Sequence, residues 1–168
     1  HVITILIGIS GSGKSTYANK LRQRICSTDR YIDTYAKALN VSYDESFDQI
    51  QLIGLFSELN DKFYADIDEA IRLGEDFIID RTNLTGGARR HLIVKVRSIS
   101  EKYNSPIIIK GIVFDINKDK ILEKLKKRES EENKKIPEDV MVQQFNAFEY
   151  PLIEEGFDII QKHSLKEE

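Results

Sequence analysis

Residues 2–9, VITILIGI, are almost wholly apolar and rich in β-branched side chains. Such a run predicts a strand buried on both faces, as in a parallel sheet. A glycine-rich stretch follows, and KSTYANKLRQR (14–24) then predicts a helix. ICSTD (25–29) predicts a second, short strand ending in polar residues. Between 44 and 73, Phe47, Ile50, Leu55, Leu59, Ile67 and Ile71 recur at helix-like spacings, so this segment is expected to be mostly helical until Gly74 stops it. DFIID (76–80) predicts a third strand. Thr85 and Gly86 open a helix through Tyr103 whose inner face carries Leu92, Ile93, Val96 and Ile99. Pro106 introduces a fourth strand, IIIKGIVFD (107–115). Asn117 has the character of an N-cap for KDKILEKLKKRES, the charged EENKK predicts a loop, and Pro137 suits the first turn of a helix running to Phe148. GFDIIQ (156–161) predicts the last strand. Strands alternating with helices predict a single α/β domain over 1–168: a three-layer sandwich with a parallel central sheet flanked by helices.

The turn after the first strand reads GISGSGKST and matches G-x-x-x-x-G-K-[ST] from Gly8 to Ser15. Its glycines let backbone N–H groups converge on phosphate oxygens, and the following helix adds its positive end. The expected nucleotide contacts are Gly11, Ser12, Gly13, Lys14, Ser15 and Thr16. Lys14 reaches the β- and γ-phosphates and Ser15 ligates Mg²⁺. The implied cofactors are ATP and Mg²⁺. An apolar strand before the motif and a helical segment after it supply the context that an ordinary glycine turn lacks.

Phosphoryl transfer also needs a positioned acceptor, a group to take its proton and cations around the transferring group. In a parallel sheet these are sought at the strand C-termini, which share one rim. Asp29, at the end of the second strand, can take a proton from an attacking hydroxyl. The competing readings are an N-cap for RYIDTYAKAL, or Asp33 as the charge that matters. Asp80, Arg81, Thr82 and Asn83 crowd the tip of the third strand, where they can hold metal-bound water or the acceptor; an Asx/ST turn capping the next helix is the plainer reading. The lysine-rich segment 118–136, with Arg128 near its end, reads either as a lid over the triphosphate or as a solvated helix face. Arg89, Arg90 and His91 read more simply as surface than as phosphate contacts.

Charge and composition narrow the partners. The 168 residues carry 25 Lys and Arg against 28 Asp and Glu, a net charge of −3, which argues against broad coating of nucleic acid while allowing a grip on one strand end. The one cysteine, Cys26, excludes an internal disulfide and fits a reducing, cytoplasmic setting; a small buried residue at a strand end is its simplest role. No apolar run approaches the ~20 residues of a membrane span, so no membrane partner is expected. The chain opens on His1 and enters strand-like sequence at once, leaving no room for a signal peptide and making a domain cut from a longer protein one expectation. The acid pair in DID (66–68) lies in a helical stretch, and His1, His91 and His163 are too scattered to indicate a metal site.

Together these residues resemble the 5′-kinase domain of polynucleotide kinases, the phage end-healing enzymes and their bacterial RNA-repair relatives. The similarity runs over nearly the whole chain: GISGSGKST, STD (27–29), IIDRTNLT, VFDINKDKILEKLKKRE, KKIPEDVMVQQF and EEGFDIIQ occur in the family's order. The resemblance implies a P-loop kinase with a helical lid at 118–136 and DNA or RNA 5′-hydroxyl ends as partners. It implies Asp29 as general base, Lys14 and Ser15 as phosphate and metal ligands, and Arg128 as lid arginine on the γ-phosphate, with Lys124 where the family often has a second arginine. Thr82 and Asn83, with Asp80 and Arg81 beside them, would place the acceptor strand, and Ile136 would face the terminal base. One departure concerns the acceptor side. The family commonly carries an arginine three residues after the catalytic aspartate, and here that residue is Ile32, leaving Arg30 or Arg81 as substitutes. No phosphatase or ligase motif accompanies these elements, so such an activity, like a homo-oligomeric or covalent partner, would lie outside this chain. A small-molecule kinase and a nucleotide-dependent switch ATPase are the alternatives.

Overall fold

A computed structural model of the chain describes residues 1–52, 56–114, 119, 123, 126–127, 129–130 and 138–163. The elements are β1 (Val2–Ile7), α1 (Lys14–Lys20), β2 (Arg24–Cys26), α2 (Thr28–Leu39), α3 (Tyr43–Leu52), α4 (Phe56–Arg72), β3 (Phe77–Asp80), α5 (Gly86–Lys102), β4 (Ile108–Phe114), α6 (Glu138–Ala147), a 3₁₀ turn (Ile153–Glu155) and β5 (Ile159–His163). The five strands form one sheet in the order β2-β3-β1-β4-β5, and every pair is parallel. The α/β sandwich expected from the alternation is the observed architecture.

The pleat of β1 explains the layers. Ile3, Ile5 and Ile7 point to one face and pack with Phe63, Ile67 and Ile71 of α4 and Leu92, Ile93 and Val96 of α5. Leu6 points to the other face, with Ile78, Ile112, Phe114 and Ala18 of α1. A strand buried on both sides must be apolar throughout, as this one nearly is. Ile99, the fourth residue expected on the inner face of α5, is partly buried against the same core.

Several boundaries differ from the sequence expectation, each for a local reason. Helix α1 ends at Lys20, because Arg22 adopts a left-handed φ of 53° and Arg24 is drawn into β2 by Glu69 and Glu75. Strand β2 stops at Cys26, and residues 28 and 29 already belong to α2. The segment 44–73 is helical as expected where it is described, as α3 up to Leu52 and α4 from Phe56 to Arg72. The last strand begins at Ile159 rather than at 156, because Phe157 fills the space over Gly111 and the Asp158 carboxylate accepts the Ile109 N–H at 2.8 Å. Among the described residues no helix is long and apolar enough to cross a membrane.

Cys26 sits fully buried at the end of β2. Burial, aided by the nearby Asp66 charge, pushes its thiol up to about 12, so the reactive thiolate is essentially absent near neutrality. Iodoacetamide at pH 8 is therefore expected to leave the native protein unlabelled and to modify Cys26 only after denaturation. Labelling of the native protein at the rate of a free thiol would contradict this placement.

Candidate active site

The sheet order places the C-terminal ends of β2, β3 and β1 side by side. Leu6 pairs with Asp80, and Cys26 pairs with Ile79. The segments leaving these three strands carry the chemistry.

The loop after β1 has the cradle geometry that its sequence requires. Gly11 and Gly13 hold φ values of 81° and 98°, which side-chain-bearing residues rarely adopt. A Cβ on Gly8 would stand 2.8 Å from Ser12 Oγ and 3.1 Å from Phe114 Cβ. The Gly8 N–H donates to Thr82 O at 3.0 Å, tying the loop to the tip of β3. Gly13 caps α1 without a side-chain partner, and no acid lies in the first turn. Lys14 is folded over the loop, with Nζ 2.8 Å from Ile9 O. These features fit a bound nucleotide: a loop with two left-handed glycines leads into a positive helix end, and a buried ammonium lies over the same loop, near Ile9 O and Ser12 Oγ.

Ser15 Oγ donates to Asp80 Oδ2 at 2.9 Å. Asp80 is nearly buried, and that burial raises its pKa against the opposing pull of Lys14, the Ser15 hydrogen bond and Arg30. A hydroxyl and a carboxylate this close form an oxygen pair suited to Mg²⁺, which keeps several waters and takes few protein ligands. Among the described residues no cluster of three His, Cys, Asp or Glu side chains offers a closed metal cage.

Asp29 lies in the first turn of α2, where Ser27 takes the N-cap position, so the carboxylate is not spent on capping. It is exposed on the rim, and its Oδ1 accepts the Tyr43 hydroxyl at 2.7 Å. Its charge adds to the rise in the Asp80 pKa, which places the two carboxylates within electrostatic reach. Arg30, also on the rim, donates to Asn19 Oδ1 at 2.7 Å and acts on Asp80 with the opposite sign. Arg81 instead lies over the Phe63 ring at 4.7 Å, and Ile32 is core. Of Arg30 and Arg81, Arg30 is the one whose charge acts on Asp80.

The β3 tip divides by function. Asn83 is buried with φ 49°, and its Nδ2 donates to Leu6 O at 2.9 Å and to Arg81 O at 3.2 Å, so the amide binds the loop to β1. Thr85, not the DRTN residues, caps α5 by accepting the Ala88 N–H. Arg89, read as surface from the sequence, is fully buried. Its guanidinium pairs with Glu155 through Nε at 2.7 Å and Nη2 at 2.9 Å, while Nη1 donates to Asn83 O and Leu84 O. Sequence periodicity gives no sign of this partner, because Glu155 is far along the chain in a 3₁₀ turn. Tyr43 and Gln144 also reach the site from distant elements: Gln144 of α6 bonds Ser10 of the phosphate loop. Lys124, Arg128 and Ile136 lie outside the described residues.

The sequence matches the AAA domain family over residues 3–151, and the chain belongs to that family. No curated protein matches it. A candidate kinase from Chloroflexus aurantiacus J-10-fl has a similar structure, with a TM-score of 0.70, 14% identity, and coverage of 99% of this chain and 87% of that one. A fungal RNA kinase has a TM-score of 0.55 at 16% identity, covering 96% of this chain and 73% of that one. The fold is an α/β sandwich of the P-loop kinase type.

Proposed function

We propose that this protein is an ATP-dependent polynucleotide kinase that phosphorylates the 5′-hydroxyl of DNA or RNA. The observation that carries the reading is the pairing of an exposed carboxylate, Asp29, with the Lys14–Ser15–Asp80 group on one rim of the sheet. Asp29 orients the terminal hydroxyl and takes its proton as the oxygen attacks. Lys14 offsets phosphate charge, and Ser15 with Asp80 holds Mg²⁺ and its waters. Bound ATP supplies the γ-phosphoryl group. Arg128 and Lys124 keep the lid roles, and Ile136 the base contact, that the resemblance implies. Thr82, whose carbonyl already fixes Gly8, stands on the acceptor side. A net charge of −3 suits a protein that grips a strand end. The fungal RNA kinase of similar fold accords with this substrate class.

One observation favours a second reading, a small-molecule kinase. Ile32 is packed in the interior, so no arginine from that position meets an acceptor phosphate.

The test is transfer from γ-labelled ATP to a 5′-OH oligonucleotide, beside the matched 5′-phosphate oligonucleotide and a panel of nucleosides and sugar acids. Label on the 5′-OH strand alone is the expected result. Label only on a small acceptor would establish the second reading, and ATP binding without transfer to any strand would reject the first.

A further inference from the structure

Gln144 makes two hydrogen bonds to one residue of the phosphate loop. Its Oε1 accepts the Ser10 backbone N–H at 2.8 Å, and its Nε2 donates to Ser10 Oγ at 3.0 Å. The two bonds form a closed pair that admits only one orientation of the amide, since the flipped form would set donor against donor. Residues 134 apart in sequence are joined by it. The helix that carries Gln144 is itself anchored. Just past its end, Glu149 N donates at 2.8 Å to Leu84 O, one of the two carbonyls that Arg89 also grips. Elsewhere in residues 8–16, Gly8 is held by Thr82 O, Ser12 N and Lys14 Nζ meet Ile9 O, and Ser15 Oγ meets the Asp80 carboxylate of the neighbouring strand. Ser10 is where a side chain of α6 enters.

The chemical type of that side chain matters. A glutamine satisfies both a donor and an acceptor without adding charge. A glutamate would set a negative charge beside a loop that binds anions, and a lysine could not accept the N–H.

We infer that Gln144 is a positioning residue that holds the phosphate loop in its binding form through Ser10, so that α6 sets nucleotide affinity without touching the nucleotide. The inference rests on the reading that residues 8–16 bind ATP. Loss of two hydrogen bonds to a preformed loop corresponds to roughly a tenfold change in affinity. Gln144→Ala is expected to raise the ATP dissociation constant about tenfold, and KM for ATP with it, while kcat at saturating ATP changes less than about threefold. Ser10→Ala keeps the N–H bond and loses only the hydroxyl, so a rise of about threefold is expected. The double variant should be no weaker than Gln144→Ala alone, because both changes break one interaction. Gln144→Glu should bind ATP more weakly than Gln144→Ala. In nucleotide-free protein, amide exchange across residues 8–13 should quicken in Gln144→Ala.

Calorimetric titration with ATP and hydrogen exchange without it separate the possible failures. Wild-type protein that does not bind ATP would remove the nucleotide reading, while the exchange experiment would still test the hold of Gln144 on the loop. Unchanged affinity in the folded single variants, effects that add fully in the double variant, or unchanged loop exchange would each overturn the inference. Ser10→Ala leaves α6 intact and serves if Gln144→Ala does not fold.

Discussion

Arg89→Met is expected to lower the free energy of unfolding by about 3–5 kcal/mol, the usual cost of removing one partner from a buried ion pair. For a chain of this size that corresponds to a fall in Tm of roughly 6–20 °C. Three acceptors depend on the guanidinium: the Glu155 carboxylate and the carbonyls of Asn83 and Leu84. Without it, the Glu155 carboxylate loses its paired cation and the Asn83 oxygen its side-chain donor in the interior, while Leu84 O keeps the Glu149 N–H. Arg89→Met with Glu155→Leu should recover part of the loss, because no charge is then stranded. The pH dependence identifies the cause. Burial by itself would raise the Glu155 pKa, but the hydrogen bonds and charge of Arg89, with the Leu152 N–H and the Arg90 charge behind them, hold the group below its ordinary 4.5. A carboxyl depressed in the folded state contributes stability above its unfolded pKa and loses it as pH falls through the folded value. In the wild type this contribution is therefore complete at pH 7 and fades only below 4.5. In Arg89→Met burial pushes the carboxyl up against only the Leu152 N–H and the Arg90 charge, so the variant's deficit should shrink between pH 7 and pH 4. Thermal unfolding at the two pH values measures this. A deficit of equal size at both, or no deficit, would mean that the pair is not the source of stability.

The same arginine shows where sequence reasoning stops. Local pattern carried far: a doubly buried β1, the loop that must follow it, the inward stripe of α5 and the buried thiol at the end of β2 all follow from neighbouring residues. Their causes are steric and periodic, and act within a few positions. Arg89 belongs to no such pattern, because its burial depends on a carboxylate in a turn 66 residues away. Gln144 and Tyr43 are hidden for the same reason, each polar on a helix with a partner supplied by the tertiary fold. Asn83 shows the opposite case. Its place at a strand tip is legible, yet the direction of its amide is decided by the carbonyl of Leu6 on the adjacent strand. Strand ends were also legible only approximately, since β5 starts where Phe157 and Asp158 have finished packing onto β4.

The two rim carboxylates are expected to fail in different ways when neutralised. Asp29→Asn keeps size and the ability to accept from Tyr43, but it removes the proton acceptor. For a general base this corresponds to a loss of about 10²–10⁴ in kcat, with ATP affinity nearly unchanged. Asp80→Asn keeps an oxygen for the Ser15 hydroxyl but withdraws the negative charge beside it. The expected loss in transfer is about 10²–10³, and here the strengthening of ATP binding by Mg²⁺ should disappear as well. Stability separates them further. Burial raises the Asp80 pKa, so the folded state disfavours the ionised form, and that penalty is complete above the folded pKa and relieved as pH falls through it toward the unfolded value. Asparagine removes the penalty at pH 7, and Asp80→Asn should melt at or above the wild-type temperature while transferring poorly. Asp29 is exposed and carries no comparable burial, so its replacement should leave Tm near the wild-type value. Single-turnover transfer, ATP titration with and without Mg²⁺, and thermal melting distinguish the pair. If Asp80→Asn melts lower and keeps its Mg²⁺ response, Asp80 is a structural bracket for Ser15 rather than a metal-side acid. If Asp29→Asn turns over at the wild-type rate, the proton leaves by another route, and Asp33, one helical turn further along α2, becomes the residue to replace.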